Sequence, residues 1–455
     1  MKRRTFISNT LWGTAGIAAG TSAGIWGSCT GRRSLEHPVL AVIGCGSRGT
    51  ELALKACQAD AGITIKQVCD VNVKRSGQTA LEIQKATGRL PSSVGDFKAI
   101  LEDREVNAVI IATPDHWHAP ATVLACQAGK DVYLEANPTH CLWEGQKMQQ
   151  AASRYKRVVQ VGFQNRSSSS AAAAREYIRS GKLGQVVHVK VYRMTGGSKW
   201  IARENAPVPE GLDWNAWLGP AAPCDYNPGI YEVTGQGGWH NYWAYGGGML
   251  TGETGHLLDL ARMVLGDPAH PASVCCSGGN WCWGSGREVP ENQSVTYDYR
   301  KFALTCETGN AMSYMKDNKP SVTPEQSPDA DWMRASARIE IYGTEGLMYL
   351  GLNEKGWQVA GKNGILITGQ PGLNPDTEHL KDFIDCIRDG RSPACGMQQG
   401  HLSAALAHLG NIAYRTDNRQ LLFDAGREVF TNNDQANGLL KTTAREGFVI
   451  SEKVS

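Results

Sequence analysis

The sequence predicts an α/β chain of two domains, a doubly wound parallel sheet followed by an α+β domain on a mostly antiparallel sheet. Over residues 38–162, short β-branched runs alternate with amphipathic helical patterns, and a glycine-rich turn follows the first run. Beyond residue 160 the pattern changes to alternating strand-like segments bracketed by helices.

Val39-Leu40-Ala41-Val42-Ile43 reads as a fully buried strand, and the glycine turn leads into a helix through Leu52, Ala53 and Ala56. Further strands are expected over 63–69, 108–112, 132–134 and 158–161. Strands separated by helices of this length imply right-handed βαβ units. The Ser/Ala run at 167–174 reads as a helix start rich in capping serine. Residues 185–192 alternate like a sheet strand, and 196–248 are rich in Gly, Trp and Pro. Strand-like segments return at 294–297, 303–308 and 337–342, and helices at 379–388 and 400–414. The expected organisation is a leader over 1–33, a parallel-sheet domain over 34–160 and an α+β domain over 161–455.

The 455 residues are 41% apolar and 20% charged, which excludes a disordered or fibrous chain. Fifty-two glycines are too many for a helical bundle. Lys plus Arg (46) nearly balances Asp plus Glu (44), and no basic run follows the first few residues, so nucleic acid is not an expected partner.

Lys2-Arg3-Arg4-Thr5-Phe6-Ile7 sets paired arginines before an uncharged stretch over 5–31. That stretch is rich in Gly, Ala and Thr, a poor membrane anchor, and resembles a twin-arginine export signal. It predicts a periplasmic or envelope location and no integral span in the mature chain. Gly27-Ser28-Cys29 offers a lipoprotein cleavage site, with Trp26 an awkward neighbour. The thirteen cysteines fit no zinc spacing and are expected to be free thiols. Export of an already folded chain is compatible with them.

Gly44-Cys45-Gly46-Ser47-Arg48-Gly49 fits Gly-x-Gly-x-x-Gly between a strand and a helix, with Asp70 ending the next strand. Gly44 permits the turn, Gly46 lets backbone approach a pyrophosphate, and Gly49 lets the helix pack on the sheet. Ser47 and Arg48 begin that helix, whose amides and dipole favour phosphate. Asp70 can accept from both ribose hydroxyls and would repel a 2′-phosphate, which favours NAD over NADP. Thr113-Pro114-Asp115-His116-Trp117-His118 follows the third strand, where open sheets bind ligands. Thr113, Pro114, His116 and His118 are candidate polar wall residues around the cofactor. No third ligand turns the His-x-His pair into a metal site, and no metal is expected.

These motifs carry a family resemblance, together with Gln160-Val161-Gly162-Phe163-Gln164-Asn165-Arg166-Ser167, Leu212-Asp213-Trp214-Asn215-Ala216-Trp217-Leu218-Gly219-Pro220, Tyr245-Gly246-Gly247-Gly248 and Gly410-Asn411-Ile412-Ala413-Tyr414-Arg415. From residue 38 to the end the chain resembles the Gfo/Idh/MocA oxidoreductases, the family of glucose–fructose oxidoreductase and inositol dehydrogenase. The resemblance implies a Rossmann domain and a second domain whose large open sheet often forms the face of a homo-oligomer, a dimer or tetramer. It also implies a tightly held nicotinamide cofactor, with Glu135, Gln164 and Asn165 beside it, and a sugar or polyol substrate.

The residues agree on substrate class. Tryptophans at 200, 214, 217, 239 and 243 offer flat apolar faces to a pyranose, while Lys199, Arg203, His240, Asn241 and Tyr242 can hydrogen-bond hydroxyls. Trp214 and Trp217 read better as core. The candidate substrate set is Lys199, Trp200, Arg203, Trp239, His240, Tyr242 and Trp243.

Two positions depart from the family. Its Glu-Lys-Pro is Glu135-Ala136-Asn137 here, and its Asp four residues before a catalytic His is Gly252. His256 remains, a base with an ordinary pKa near neutrality. Glu253, three residues earlier, is the candidate to orient it, with Glu135 and His240 as further polar candidates. The expected activity is NAD-dependent oxidation of a sugar or glycoside with the cofactor recycled in place. The alternatives are redox-neutral cleavage through a 3-keto sugar, as in the NAD-dependent α-N-acetylgalactosaminidase branch, and an inactive sugar-binding relative.

Overall fold

Six parallel strands form the first sheet: β1 (Val39–Ile43), β2 (Thr64–Cys69), β3 (Ser92–Val94), β4 (Ala108–Ile111), β5 (Asp131–Leu134) and β6 (Val159–Val161). Their order is β3-β2-β1-β4-β5-β6, the doubly wound arrangement whose crevice lies at the carboxyl ends of β1 and β4. The computed structural model describes residues 36–197, 201–233, 238–283, 287–315, 329–417 and 419–454. The leader, Cys29, Lys199 and Trp200 lie outside the described residues.

β1, β4 and β5 are apolar along both faces because helices cover both sides. One of those helices comes from far along the chain. Asp376–Asp389 carries Leu380, Phe383, Ile384 and Ile387 at helical spacing, and these pack with Leu40, Val42 and Ile110 of the first sheet. Each such side chain contributes about 1.5–3 kcal/mol of burial, an upper estimate. Ile450 and Val454 of the C-terminal tail join the opposite face. The chain thus crosses the expected division at residue 160 twice, and the second half completes the nucleotide domain.

The second sheet has ten strands. They are β7 (Val186–Met194), β8 (Ser273–Gly279), β9 (Asn292–Asp298), β10 (Ala303–Gly309), β11 (Ala337–Gly343), β12 (Leu347–Leu350), β13 (Trp357–Ala360), β14 (Leu366–Gln370), β15 (Leu421–Asp424) and β16 (Val429–Phe430). Their order is β14-β13-β12-β11-β7-β10-β9-β8-β15-β16, antiparallel except for β7 beside β10. Val189 and Val191 of β7, Val295 and Tyr297 of β9 and Leu304 and Cys306 of β10 point to one face. Helices Glu253–Val264 and Met397–Arg415 bury that face. Every described cysteine is a free thiol. Among the described residues, no helix is long and apolar enough to cross a membrane.

Candidate active site

A cleft of about 2200 Å³ opens at the carboxyl ends of β1, β2, β4 and β5, lined by the glycine turn, Asp70, Thr113, Pro114 and Glu135. The three glycines divide their work as the motif predicts. Gly44 has φ +94°, and a Cβ there would meet the Ala112 carbonyl oxygen at 2.6 Å. A Cβ on Gly49 would sit 1.9 Å from the Gly44 oxygen, so the helix Ser47–Ala59 can pack this closely only with glycine. Gly46 is different. Its backbone is ordinary (φ −70°), and a Cβ would meet nothing within 4 Å. Its missing side chain leaves room at a helix N-terminus, which fits a pyrophosphate.

Asp70 lines the cleft at the end of β2. Its Oδ2 accepts from the Cys45 amide and its Oδ1 from the Asn72 amide, both at 2.8 Å. Burial raises its pKa, opposed by these two donors and by Arg75. Further donors from ribose hydroxyls suit such a carboxylate. Asn72 also caps the helix Val73–Thr87 and donates to the Tyr231 hydroxyl at 2.9 Å, while Arg75 lies 4.5 Å over the Tyr231 ring. Asn72 and Tyr231 line the cleft without having been singled out from sequence, and Trp217, expected as core, lines it too. An N-cap Asn just after Asp70 was the available signal for the first. Tyr231 arrives from the distant second domain, so no local pattern announces it.

Several candidate cofactor residues hold the walls instead of facing the ligand. His118 Nδ1 and Nε2 lie 2.6 and 2.8 Å from the Asn137 and Thr113 carbonyl oxygens, and His116 Nε2 lies 3.1 Å from that of Trp217. Both rings are buried, and burial lowers their pKa values to about 4 and about 3. Neither lines the cleft. The expectation that they form its polar wall is corrected, because helix Asp115–Gln127 turns them toward backbone carbonyls. Asn165 is likewise committed to Asn353, exchanging hydrogen bonds of 3.1 and 2.8 Å. Gln164 donates to Glu135 Oε1 at 2.9 Å and to the Tyr133 hydroxyl at 3.1 Å. Arg48 reaches the same Glu135 oxygen at 2.9 Å and also pairs with Glu51 and Asp376. Ser47 and Arg48 do line the cleft.

His256 lies within electrostatic reach of Glu135, edge-on to Phe163 at 5.5 Å. Burial lowers its pKa below 6.5, opposed by Glu135. Glu253 does not orient it. The Glu253 carboxylate pairs with Arg193 and lines a second cavity of about 690 Å³. Position 252 is also no substitute for the family Asp, because the helix breaks there: Gly252 (ψ −126°) separates Gly248–Thr251 from Glu253–Val264. Residue 252 therefore shares no continuous helical face with His256.

Among the substrate candidates, Trp239 and His240 line the cleft, with ring centroids 3.6 Å apart. Burial lowers the His240 pKa to about 4, so it is neutral at pH 7. His240 and Val233 line both cavities and so mark where they meet. Trp243 faces elsewhere, with Arg415 4.9 Å over its ring, its amide donating to Glu288 and its carbonyl 2.7 Å from His140 Nε2. Arg203 is exposed and paired with Glu232, and Tyr242 packs beside Tyr245. Neither lines the two cavities. Trp214 and Trp217 are core, stacked at 4.7 Å and nearly parallel, although their edges reach the cleft.

The sheet order, the open glycine cradle and the half-buried Asp70 carboxylate define a dinucleotide-binding α/β protein with a second α/β domain docked on it. The chain belongs to the Gfo/Idh/MocA oxidoreductase family: residues 39–163 match its NAD-binding Rossmann fold, and 168–301 and 341–450 its C-terminal alpha/beta domain. It is 23% identical over 79% of its length to the scyllo-inositol 2-dehydrogenase (NAD(+)) of Bacillus subtilis, covering 89% of that protein. It is 27% identical over 39% of its length to the levoglucosan dehydrogenase of Pseudarthrobacter phenanthrenivorans. It is 28% identical over 42% to a glycosyl hydrolase family 109 protein of Stenotrophomonas maltophilia. These last two matches span only 37% and 41% of the relatives' own lengths. A levoglucosan dehydrogenase structure in complex with NADH and levoglucosan shares the fold, with TM-score 0.61 and 18% identity over 87% of this chain and 100% of that one.

Proposed function

We propose that the protein is an exported oxidoreductase that oxidises a sugar or glycoside with an NAD held through repeated turnovers. The observation that carries this reading is the junction at His240, where the dinucleotide-sized cleft meets a second, polar cavity. The glycine turn and Asp70 would hold the dinucleotide, with Glu135 and Ala136 along the cleft wall. Bound there, NAD supplies a hydride acceptor, and reuse of the held cofactor requires a carbonyl substrate to take the hydride back. Trp239 offers an apolar face to a pyranose, and neutral His240 can exchange hydrogen bonds with its hydroxyls. Arg287 lines the second cavity with Nε and Nη2 lacking partners among the described residues, a further source of donors. His256 lines neither cavity but lies beside Glu135, which lines the cleft, and in this reading it takes the hydroxyl proton, a role its lowered pKa permits at neutral pH.

The paired arginines before an uncharged stretch support export. Outside the cytoplasm free NAD is not replenished, so a retained cofactor follows from that location. The protein purified from its envelope fraction is expected to carry NAD(H) through gel filtration and release it on denaturation. Cofactor-free protein, or an uncleaved cytosolic chain, would contradict this. By analogy with the family, the outer face of the ten-stranded sheet is proposed to join copies of the chain.

Asp70 sets cofactor choice in this reading. Asp70→Asn is expected to weaken NAD binding about 10- to 100-fold, the value of hydrogen bonds to a charged acceptor. It should also narrow the preference for NAD over NADP. Calorimetric titration with both dinucleotides checks this, and unchanged affinities would refute it. The likeness to a glycosyl hydrolase family 109 protein favours one second reading, redox-neutral cleavage of a glycoside. A glycoside panel followed by mass spectrometry separates the two. Keto products mark the oxidoreductase, and released aglycone without net oxidation marks the cleaving enzyme.

A further inference from the structure

Away from the cleft, three side chains from separate parts of the second half converge on one point. His270 Nε2 and His401 Nε2 each lie 2.8 Å from Glu428 Oε1, and the three donor atoms all fall within 4.8 Å of one another. His270 precedes β8, His401 stands on the helix Met397–Arg415, and Glu428 sits in the turn between β15 and β16. Both imidazoles are buried, while the carboxylate keeps a partial opening to solvent. None of the three lines either cavity of the candidate active site.

We propose that His270, His401 and Glu428 bind one divalent transition-metal ion of the zinc type, with water in the remaining position. Two imidazoles and a carboxylate are a recurrent ligand set for such ions. Metal–ligand bonds of about 2.0–2.2 Å in a tetrahedral site place donors about 3.3 Å apart. Here each imidazole nitrogen must move back from the carboxylate oxygen by about 0.5 Å, and the two nitrogens, within 4.8 Å of each other, must converge on the ion.

The surroundings build the site. Gln146 Nε2 donates to Glu428 Oε2 at 2.6 Å, fixing the carboxylate through the oxygen that the imidazoles leave free. Gly145 lies inside the helix Leu142–Arg154, where glycine costs about 1 kcal/mol relative to alanine. A Cβ there would come 2.0 Å from His401 Nδ1, so this glycine makes room for the ring. Phe423 packs edge-on to His270 at 5.4 Å. Among the described residues, the ion pairs of Glu428 are with these two histidines alone, with no lysine or arginine. A cation would compensate the charge of that half-buried carboxylate. Gly145 and Gln146 belong to the nucleotide domain and the three ligands to the second half. A bound ion would therefore clamp the β15–β16 hairpin and the helix Met397–Arg415 against the first domain.

The test uses the full, untagged chain, stripped with a chelator, freed of it, and titrated with Co(II) and then Zn(II). The expected result is one ion per chain, Co(II) bands without thiolate charge transfer, and a raised thermal midpoint. Glu428→Gln and His401→Gln should abolish uptake, while Gln146→Ala, which keeps all three donors, should weaken it roughly 10- to 100-fold. Should the ligand variants fail to fold, the Gln146 variant still decides. A stripped chain that takes up no ion would show a purely hydrogen-bonded cluster and overturn the proposal. So would thiolate bands, or uptake unchanged in Gln146→Ala or in folded Glu428→Gln.

Discussion

His256→Ala abolishes turnover of a confirmed sugar substrate while leaving NAD bound. A positioned general base is worth roughly 10²–10⁴-fold in rate, and the substitution touches none of the residues proposed to hold the dinucleotide. In the proposed reading His256 acts without the Lys and Asp partners that the family resemblance implies, since Ala136 and Gly252 hold those positions. Glu253, the expected replacement, is spent on Arg193. What remains is the field of Glu135 and the apolar edge of Phe163. The pH dependence follows in sign. The base must be unprotonated, and burial holds its pKa below 6.5. Activity should therefore be flat through neutrality and fall only as pH drops below the ordinary histidine range. Initial rates of wild type and variant against pH check both statements. Near-wild-type turnover in His256→Ala would hand the role to another residue.

Gly46→Val is expected to weaken NAD binding by at least about 100-fold, roughly 3 kcal/mol, with little change in thermal stability. The backbone at Gly46 suits any residue, and a Cβ there meets open space, so the apoprotein tolerates the side chain. That space is where a pyrophosphate would approach the amides. Gly49→Ala should behave oppositely and lower the melting temperature, because its Cβ would collide with the Gly44 carbonyl. Calorimetric titration paired with thermal unfolding separates the two effects. Equal loss of stability in both variants would show that Gly46 is a structural glycine.

The nucleotide half was legible because its signals are local. Five of the six strands of the first sheet were expected, and the glycine turn with Asp70 sits where the motif puts it. β3 was missed because Ser92–Val94 is short and carries no apolar run. In the second half the sheet type was readable from alternation, but β12 to β16 are short pieces of two to five residues with too little alternation to mark them, although all but β15 pair only with strands next to them in sequence. Residue chemistry was a weaker guide to orientation. His116, His118, Asn165 and Trp243 carry suitable groups yet spend them on backbone carbonyls, Asn353 and Arg415. Which way a helix turns a side chain is set by packing across the chain. The pairing of Glu253 with Arg193 likewise spans sixty positions and leaves no local trace.

The most direct measurement supplies sugars deuterated at individual ring carbons to the full chain, with no hydride acceptor added, and analyses the cofactor released by denaturation after the first oxidation. The account predicts deuterium on the nicotinamide for a single labelled position, in wild type and not in His256→Ala. Product formed by wild type with an unlabelled cofactor, whichever ring carbon carries the label, would contradict it.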